Sequence, residues 1–154
     1  MKRCVTIMAA VAGVVLSSGR AAVAHCQIPC GIYGDETRFT LMVEHVTTIE
    51  KSMKQIESLG KADKPDWNQL VRWVDNKEAH ADKLSDIITS YFMAQRVKPA
   101  AKENADDYDR YVRQLAALHR MLVYAMKSKQ STDLNHCVEL RKLIAEFRKL
   151  YTKS

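Results

Sequence analysis

The sequence predicts an all-α protein, a four-helix bundle with up-down-up-down connectivity that follows an N-terminal loop. Apolar residues recur at alternating spacings of three and four over long stretches, which is the period of an amphipathic helix. Helix-breaking residues are scarce, because no glycine follows Gly60 and the only prolines are Pro29, Pro65 and Pro99. Four such stretches joined by short linkers form a bundle most simply when successive helices run antiparallel.

The first helix is predicted from Asp35, whose side chain can cap it, to Leu59. Gly60 follows as a natural stop. The apolar face of this helix comprises Phe39, Met42, Val46, Ile49, Met53 and Ile56.

The second helix is predicted from Asp66 to Arg96, after a linker that contains Pro65. Lys77 occupies one position of its apolar face. The polar segment 75–82 has two interpretations, a solvated surface or a face turned toward a polar site or a subunit contact. The apolar face comprises Trp67, Leu70, Val74, Ala81, Leu84, Ile88 and Tyr91.

The third helix is predicted to follow Pro99, to begin at a cap near Asn104 and to end near Lys129. Lys127 and Lys129 in its last turn suit the negative end of the helix dipole. His119 is expected beside its apolar face, as a core or boundary residue. That face comprises Tyr108, Tyr111, Leu115, Leu118, Leu122 and Met126.

The fourth helix is predicted to open at Ser131-Thr132-Asp133. His136 is expected at the surface, and Cys137 is expected to be a small buried hydrophobe. The apolar face comprises Leu134, Cys137, Leu140, Ile144, Phe147 and Tyr151.

The first 24 residues are typical of a signal peptide. Met1-Lys2-Arg3 forms the basic start, an apolar run over 5–16 follows, and Ala22-Val23-Ala24 is a small-residue cleavage motif. The run is short for a membrane anchor, which is the alternative. The prediction is therefore an exported protein, periplasmic or extracellular, that begins at His25 and has no membrane contact after cleavage.

The charge balance argues against a nucleic-acid partner. The chain has 24 basic and 18 acidic residues. Because the leader contributes Lys2, Arg3 and Arg20 and no acid, its removal reduces the net charge from +6 to about +3. No run of Lys and Arg with interleaved aromatic residues is present. The remaining excess of positive charge would attract a small anion.

The segment His25-Cys26-Gln27-Ile28-Pro29-Cys30-Gly31-Ile32-Tyr33 carries the candidate chemistry. Pro29 predicts a bend that can bring the sulfurs of Cys26 and Cys30 together. A disulfide between them is one interpretation, which an oxidising compartment favours. Haem attachment is disfavoured because the Cys-x-x-Cys-His order is absent, and zinc because no second ligand pair lies at finger spacing.

Cleavage before His25 favours a metal site instead. The free amine of His25 can bind a metal near neutral pH, and the amide nitrogen of Cys26 lies between that amine and the Cys26 thiol. These donors and the Cys30 thiolate would form a planar N2S2 set, which suits nickel(II) or copper(II). Thiolates would reduce copper(II), so nickel is expected, one per subunit. The anionic donors favour the trivalent state, and the His25 imidazole could be an additional axial ligand.

The pattern His25-Cys26-x-x-Pro29-Cys30-Gly31-x-Tyr33 resembles the nickel hook of the nickel-containing superoxide dismutases, and the helical remainder agrees with the four-helix subunit of that family. The resemblance implies disproportionation of superoxide to oxygen and hydrogen peroxide through a Ni(II)/Ni(III) cycle. It implies that His25, Cys26 and Cys30 bind the nickel. Tyr33 would be the catalytic residue over the open axial side, controlling access and hydrogen-bonding an anion or water.

The resemblance further implies a cis peptide bond at Ile28–Pro29 and a homohexamer with the hooks between subunits. The predicted organisation is a signal peptide over 1–24 and a nickel superoxide dismutase domain over 25–154. Within that domain the hook covers 25–35 and the bundle covers 36–154.

Several positions depart from the family pattern. Gln27 stands where the better-known bacterial members have Asp. The family's second-helix arginine falls near Asn76. Its supporting acid on the first helix does not map cleanly, the nearby choices being Met42, Val43 and Glu44. Polar residues that could surround the site instead are Glu44, His45, Glu78 and His80.

Two other functions stay open from the sequence. One is an exported nickel or copper carrier that uses the same chelate without catalysis. The other is a helical interaction protein held by a Cys26–Cys30 disulfide, with no metal.

Overall fold

The computed structural model describes residues 34–152, and within that range it contains four long helices and no strand. We name them α1 (Asp35–Gly60), α2 (Trp67–Asp86), α3 (Ala105–Gln130) and α4 (Asn135–Thr152). A π-helix, Ile87–Arg96, continues α2 without a break and is called the π segment below. The predicted leader, residues 25–33 of the predicted hook, the cis peptide and the disulfide lie outside the described residues.

The helices form the predicted bundle. Each helix packs mainly against its neighbours in sequence, and α1 packs against α4 to close the ring. Short connections between such neighbours require them to alternate in direction, which gives the up-down-up-down arrangement. Among the helices of residues 34–152, none is long and apolar enough to cross a membrane.

Three helix starts follow the predicted capping residues. The Asp66 carboxylate accepts from the backbone N–H of Gln69 at 3.1 Å, and the Asn104 side chain accepts from Asp107 N–H at 3.3 Å. Asp133 likewise accepts from the backbone N–H of Asn135 at 2.9 Å. At the start of α1 the prediction is wrong, because Gly34 occupies the cap position and the Asp35 side chain bonds elsewhere.

The predicted apolar faces of α1 and α4 are largely confirmed. Every helix contributes side chains to one continuous core, and burial of each large apolar side chain stabilises the fold by about 1.5–3 kcal/mol. Fully buried core residues on α1, α2, the π segment and α4 include Met42, Val46, Ile49, Met53, Leu84, Ile88, Phe92, Cys137, Leu140 and Phe147.

Three residues predicted to face inward are exposed. Trp67 is 70% exposed and Leu134 is 39% exposed, because each lies at the start of its helix, where the end of the bundle offers less cover. Met126 on α3 is 49% exposed. The predicted stripes are therefore wrong at these positions.

The buried face of α3 differs from the predicted one because small and polar residues carry it. Of the predicted residues only Leu118 is fully buried. His119, expected as a core or boundary residue, is exposed, and His136, expected at the surface, is partly buried. The buried residues of α3 are Gln114, Ala117, Leu118, Met121, Ala125 and Ser128.

The second predicted helix reaches Arg96 as expected, but its last ten residues have π geometry. The N–H of Val97 closes the segment by donating to the carbonyl of Phe92 at 2.8 Å. π geometry within a helix is uncommon and is frequent at functional sites. Here it places Tyr91 and Arg96 beside Asp35, at the start of α1.

Candidate functional site

The residues predicted to hold and gate the metal lie just before the part of the chain that the structure describes. His25, Cys26, Cys30 and Tyr33 are all outside residues 34–152, so their roles stay predictions. The described chain begins at Gly34, directly after Tyr33 in sequence. The structure therefore describes how the end of the predicted hook is attached to the bundle.

That attachment is centred on the Asp35 carboxylate. Its Oδ1 atom accepts a hydrogen bond from the Tyr91 hydroxyl at 2.6 Å. Its Oδ2 atom accepts from Arg96 Nη2 at 2.7 Å and from the Tyr151 hydroxyl at 2.7 Å. The Nε atom of Arg96 also donates to the Tyr151 oxygen at 3.2 Å. We call these four residues the Asp35 network; it joins α1, the π segment and α4.

The electrostatics of the network favour an ionised Asp35. Partial burial alone would raise the pKa of Asp35, but the hydrogen bonds from Arg96, Tyr91 and Tyr151 and the charge of Arg96 outweigh it, so the pKa lies below its usual value. Burial, followed by the bond to Asp35, raises the pKa of Tyr91 to about 12. Burial and the bond to Asp35 also raise the pKa of Tyr151. Both phenols are therefore protonated donors at neutral pH.

An aromatic cluster lies beneath the Asp35 network. The Phe39 and Phe92 ring centroids are 4.9 Å apart, and those of Phe92 and Phe147 are 5.0 Å apart with nearly perpendicular rings. Tyr151 packs on Phe147 with a centroid distance of 5.7 Å. Such contacts restrict the rings that carry the hydroxyl donors, since aromatic pairs have preferred geometries. The Asp35 network therefore rests on tightly packed aromatic side chains.

A cavity of about 430 Å³ lies at the same end of the bundle. Arg96 and Tyr151 of the Asp35 network line it, together with Lys98 and Arg110. One acid, Asp107, pairs with Arg110 at 2.6 Å. Arg96 is itself paired with Asp35 at 2.7 Å, so the excess positive charge among the lining residues reduces to that of Lys98, which favours the approach of a small anion.

A second polar feature joins α1 and α2 at mid-helix. The Nδ1 atoms of His45 and His80 lie 3.0 Å apart, and the ring centroids are 5.0 Å apart. Burial, then the charges of the partner ring and of Lys83, lowers the pKa of His45, although Glu44 opposes the shift. Burial and Lys83 also lower the pKa of His80. The pair is neutral at pH 7, and one Nδ1–H donates to the other Nδ1.

The polar segment 75–82 turns largely toward neighbouring helices. Asn76 donates to Ser52 Oγ at 2.9 Å, which joins α2 to α1. Lys77 is 4% exposed, and its Nζ atom donates to the Lys129 carbonyl at 2.5 Å and to the Ser131 carbonyl at 3.3 Å. It therefore satisfies carbonyls at the end of α3, which lack partners within the helix.

Of the four polar candidates around the site, the structure brings two together. His45 and His80 are in contact, whereas Glu78 lies near Lys129, 3.5 Å from its Nζ atom. Glu44 contributes only its charge near His45. Within residues 34–152 no group of three or more His, Cys, Asp or Glu side chains could hold a metal ion.

The Asp35 network was not identified from the sequence. The sequence indicates a cap at Asp35 and places Tyr91 and Tyr151 in apolar faces. The only sequence signal was that both apolar faces end in a tyrosine, whose hydroxyl needs a partner when the ring is buried. The partner lies on another helix, and helical spacing carries no information about it.

Comparison with known proteins gave a match to a protein family. The family model described as nickel-containing superoxide dismutase matches residues 20–154. The matched range includes the segment from His25 to Tyr33 and all four helices. Searches of curated proteins and of solved structures found no match to this chain.

Proposed function

The chain belongs to the nickel-containing superoxide dismutase family, and on that premise we propose that it disproportionates superoxide at a nickel ion held by His25, Cys26 and Cys30. The observation that carries the proposal is the position of these three residues within the matched range. A protein of this family is an oxidoreductase, and its substrate is superoxide.

The donor chemistry of the segment fits nickel. The amine and imidazole of His25, the amide nitrogen and thiolate of Cys26 and the thiolate of Cys30 combine nitrogen with soft sulfur ligands, a set suited to a late divalent metal. Bound there, nickel would supply one-electron redox chemistry by alternating between Ni(II) and Ni(III). Tyr33 would hydrogen-bond the incoming anion or water, and water or the Tyr33 phenol would provide protons for hydrogen peroxide.

The Asp35 network supports this proposal by fixing the end of the predicted hook. Tyr33 is two residues before Asp35, whose carboxylate is held by three donors from two other elements. A hydrogen-bonded anchor so close in sequence restricts where Tyr33 can lie relative to the bundle. The positive charge of Lys98 at the neighbouring cavity would favour the approach of superoxide.

Export and assembly form part of the same proposal. Removal of residues 1–24 would free the amine of His25, so nickel would be bound after cleavage, in the periplasm or outside the cell. The assembly would be a homohexamer, which analytical ultracentrifugation of the cleaved protein would test.

The position of the mature amino terminus is the sharpest test. Intact-mass measurement of the secreted protein should give a chain that begins at His25. A chain that retains any residue before His25 lacks the proposed amine ligand, and the proposed ligation would then be wrong.

A pair of cysteine variants tests the activity itself. Cys26→Ser should abolish both nickel binding and superoxide decay measured by pulse radiolysis. Cys137→Ala is the matched control, because Cys137 is buried in the core and should leave nickel content unchanged. Nickel bound without superoxide decay in the unaltered protein would favour the carrier. An oxidised Cys26–Cys30 pair without metal would favour the interaction protein.

A further inference from the structure

His45 and His80 form a compact pair of nitrogen donors on two different helices. Their Nδ1 atoms are 3.0 Å apart although the residues are 35 positions apart in sequence. Their ring planes are inclined at 70°, so the rings meet edge to face rather than in a stack. Both side chains are partly exposed, so an ion from solvent can reach them.

The spacing of the two nitrogens matches that of adjacent ligands on one metal. Imidazole nitrogens bind late divalent metals at roughly 2.0–2.1 Å. Two such nitrogens at a right angle, as in square-planar or octahedral coordination, lie roughly 2.8–3.0 Å apart, whereas tetrahedral ligands lie roughly 3.3–3.4 Å apart. The observed 3.0 Å agrees with right-angle coordination and is short for tetrahedral zinc.

We propose that His45 and His80 form a second metal site, in which their Nδ1 atoms bind one late divalent cation, copper(II) foremost, as adjacent ligands. Water completes the coordination, because no third His, Cys, Asp or Glu joins this pair in the described part of the chain. The site lies between α1 and α2 and uses none of the predicted hook ligands.

Binding needs little rearrangement of protons. One Nδ1–H bridges the neutral pair, so that proton moves to Nε2 of the same ring and both Nδ1 lone pairs become available. Rotation of each ring by roughly 45° then aims both lone pairs at a metal bound at a right angle instead of at each other. The low pKa values of the two rings keep protons from competing at neutral pH.

The neighbouring charges affect the metal affinity of the site formed by His45 and His80. Lys83 on α2 lies close enough to disfavour charge on both rings, and it would repel a divalent cation in the same way. Glu44 on α1 acts in the opposite direction on His45. Copper(II) is expected to bind more tightly than nickel(II), in the usual order of late divalent metals.

The test uses the full chain with the hook ligands removed by His25→Ala, Cys26→Ser and Cys30→Ser, and with Cys4→Ser so that no thiol of the leader reduces the copper(II). Titration with Cu²⁺ alone should show one equivalent bound, with an electron paramagnetic resonance spectrum that carries coupling to two nitrogens. In this background either His45→Asn or His80→Asn should weaken binding at least about tenfold. His119→Asn, which alters an exposed histidine on α3, is the matched control and should change nothing.

Two further measurements do not depend on the folding of the histidine variants. Lys83→Gln should tighten Cu²⁺ binding about two- to tenfold, because it removes a nearby positive charge. Substoichiometric Cu²⁺ should broaden the ring resonances of His45 and His80 before those of His119. Equal broadening of all rings, or affinity unchanged in both His45→Asn and His80→Asn, would overturn the proposal without touching the nickel activity.

Discussion

The Asp35 carboxylate and the Arg96 guanidinium form an ion pair of 2.7 Å across 61 positions of sequence. The pair joins the first residue of α1 to the last residue of the π segment. Since Tyr151 donates to the same carboxylate oxygen, the end of α4 is held as well. The point at which the predicted hook enters the bundle is thus fixed by long-range bonds rather than by a local cap.

Asp35→Asn should destabilise the protein by about 1–3 kcal/mol at pH 7, because it removes hydrogen bonds to a charged group and leaves Arg96 without its carboxylate. Chemical denaturation followed by circular dichroism measures the change. Asp63→Asn, in the exposed linker before α2, is the control and should have little effect. An equal loss in both variants would show that the network contributes nothing specific.

Asp35→Asn should also reduce the loss of folding stability at low pH. Because the pKa of Asp35 is lower in the folded protein than its ordinary value of 3.8, its contribution is present above about pH 4. It is lost as the pH falls through the folded-state value, where the carboxylate takes up a proton. The stability difference between wild type and Asp35→Asn should therefore shrink below pH 4, and a constant difference would contradict the assignment.

Lys77→Met should destabilise the fold by about 1–3 kcal/mol, since it leaves carbonyls at the end of α3 without their donor. Methionine keeps the length and apolar stem of lysine, so the loss reports on the ammonium group. The matched control is Lys64→Met in the exposed linker, which should be close to neutral. Denaturant titration measures the free energies of unfolding of both variants and of the wild type. A neutral Lys77→Met would mean that the cost of burying the charge equals the value of its bonds.

The sequence predicted helices well and buried faces less well, for reasons visible on α3. Periodic spacing identified where each helix runs, because the period depends only on local geometry. Apolar spacing predicts Met126 in the interior, but the interior positions of α3 include Ala125 and Ser128, whose small side chains let neighbouring helices approach closely. The space available at these positions depends on how closely the neighbouring helix packs, and the spacing of apolar residues along α3 does not reveal that distance.

In the candidate site, too, local features were predictable from the sequence and long-range contacts were not. A metal-binding function could be predicted for the segment from His25 to Tyr33, because its donor atoms are close together in sequence and chelation depends on local spacing. The Asp35 network and the contact of His45 with His80 are long-range, so only the packing of helices reveals them. The sequence shows Lys77 as a polar residue in an apolar face, but its partner, the Lys129 carbonyl of α3, is 52 positions away and is not predictable from spacing.

The neutral pair of His45 and His80 predicts a second acid-sensitive step, measured in metal-free buffer with a chelator. Both pKa values are lower in the folded state than the ordinary 6.5, so the unfolded chain binds more protons below that pH. The free energy of unfolding should therefore fall as the pH drops from 6.5 through the folded-state pKa values. For each ring the loss is about 1.4 kcal/mol per unit of difference between its pKa in the unfolded and in the folded protein.

His45→Gln should reduce this step, because glutamine does not titrate. His119→Gln, on the exposed face of α3, should leave it unchanged. Unfolding free energies at pH 7.5 and pH 5 provide the comparison. Lys83 opposes protonation of both rings and Glu44 favours protonation of His45, so Lys83→Gln should also make the step smaller. An identical loss in wild type and His45→Gln would rule out the pair as its source.

Cys137 should be chemically inert in the folded protein. Its side chain is fully buried, its Sγ atom lies 3.8 Å from Met53 Sδ, and burial raises the pKa of the thiol to about 11. Only the thiolate attacks disulfide reagents, so both access and ionisation oppose reaction at pH 8. In the chain that begins at His25 and carries Cys26→Ser and Cys30→Ser, the thiol should react only after unfolding in guanidinium.

The matched control for that measurement adds Val138→Cys, the next residue of α4, where the native side chain is 46% exposed. This introduced thiol should react with an aromatic disulfide reagent before denaturant is added, while Cys137 in the same chain does not. The two positions share a helix and differ in burial, so the contrast isolates the core as the cause. Rapid reaction of Cys137 in the native protein would mean that α4 opens from the bundle more readily than its packing against α1 and α3 implies.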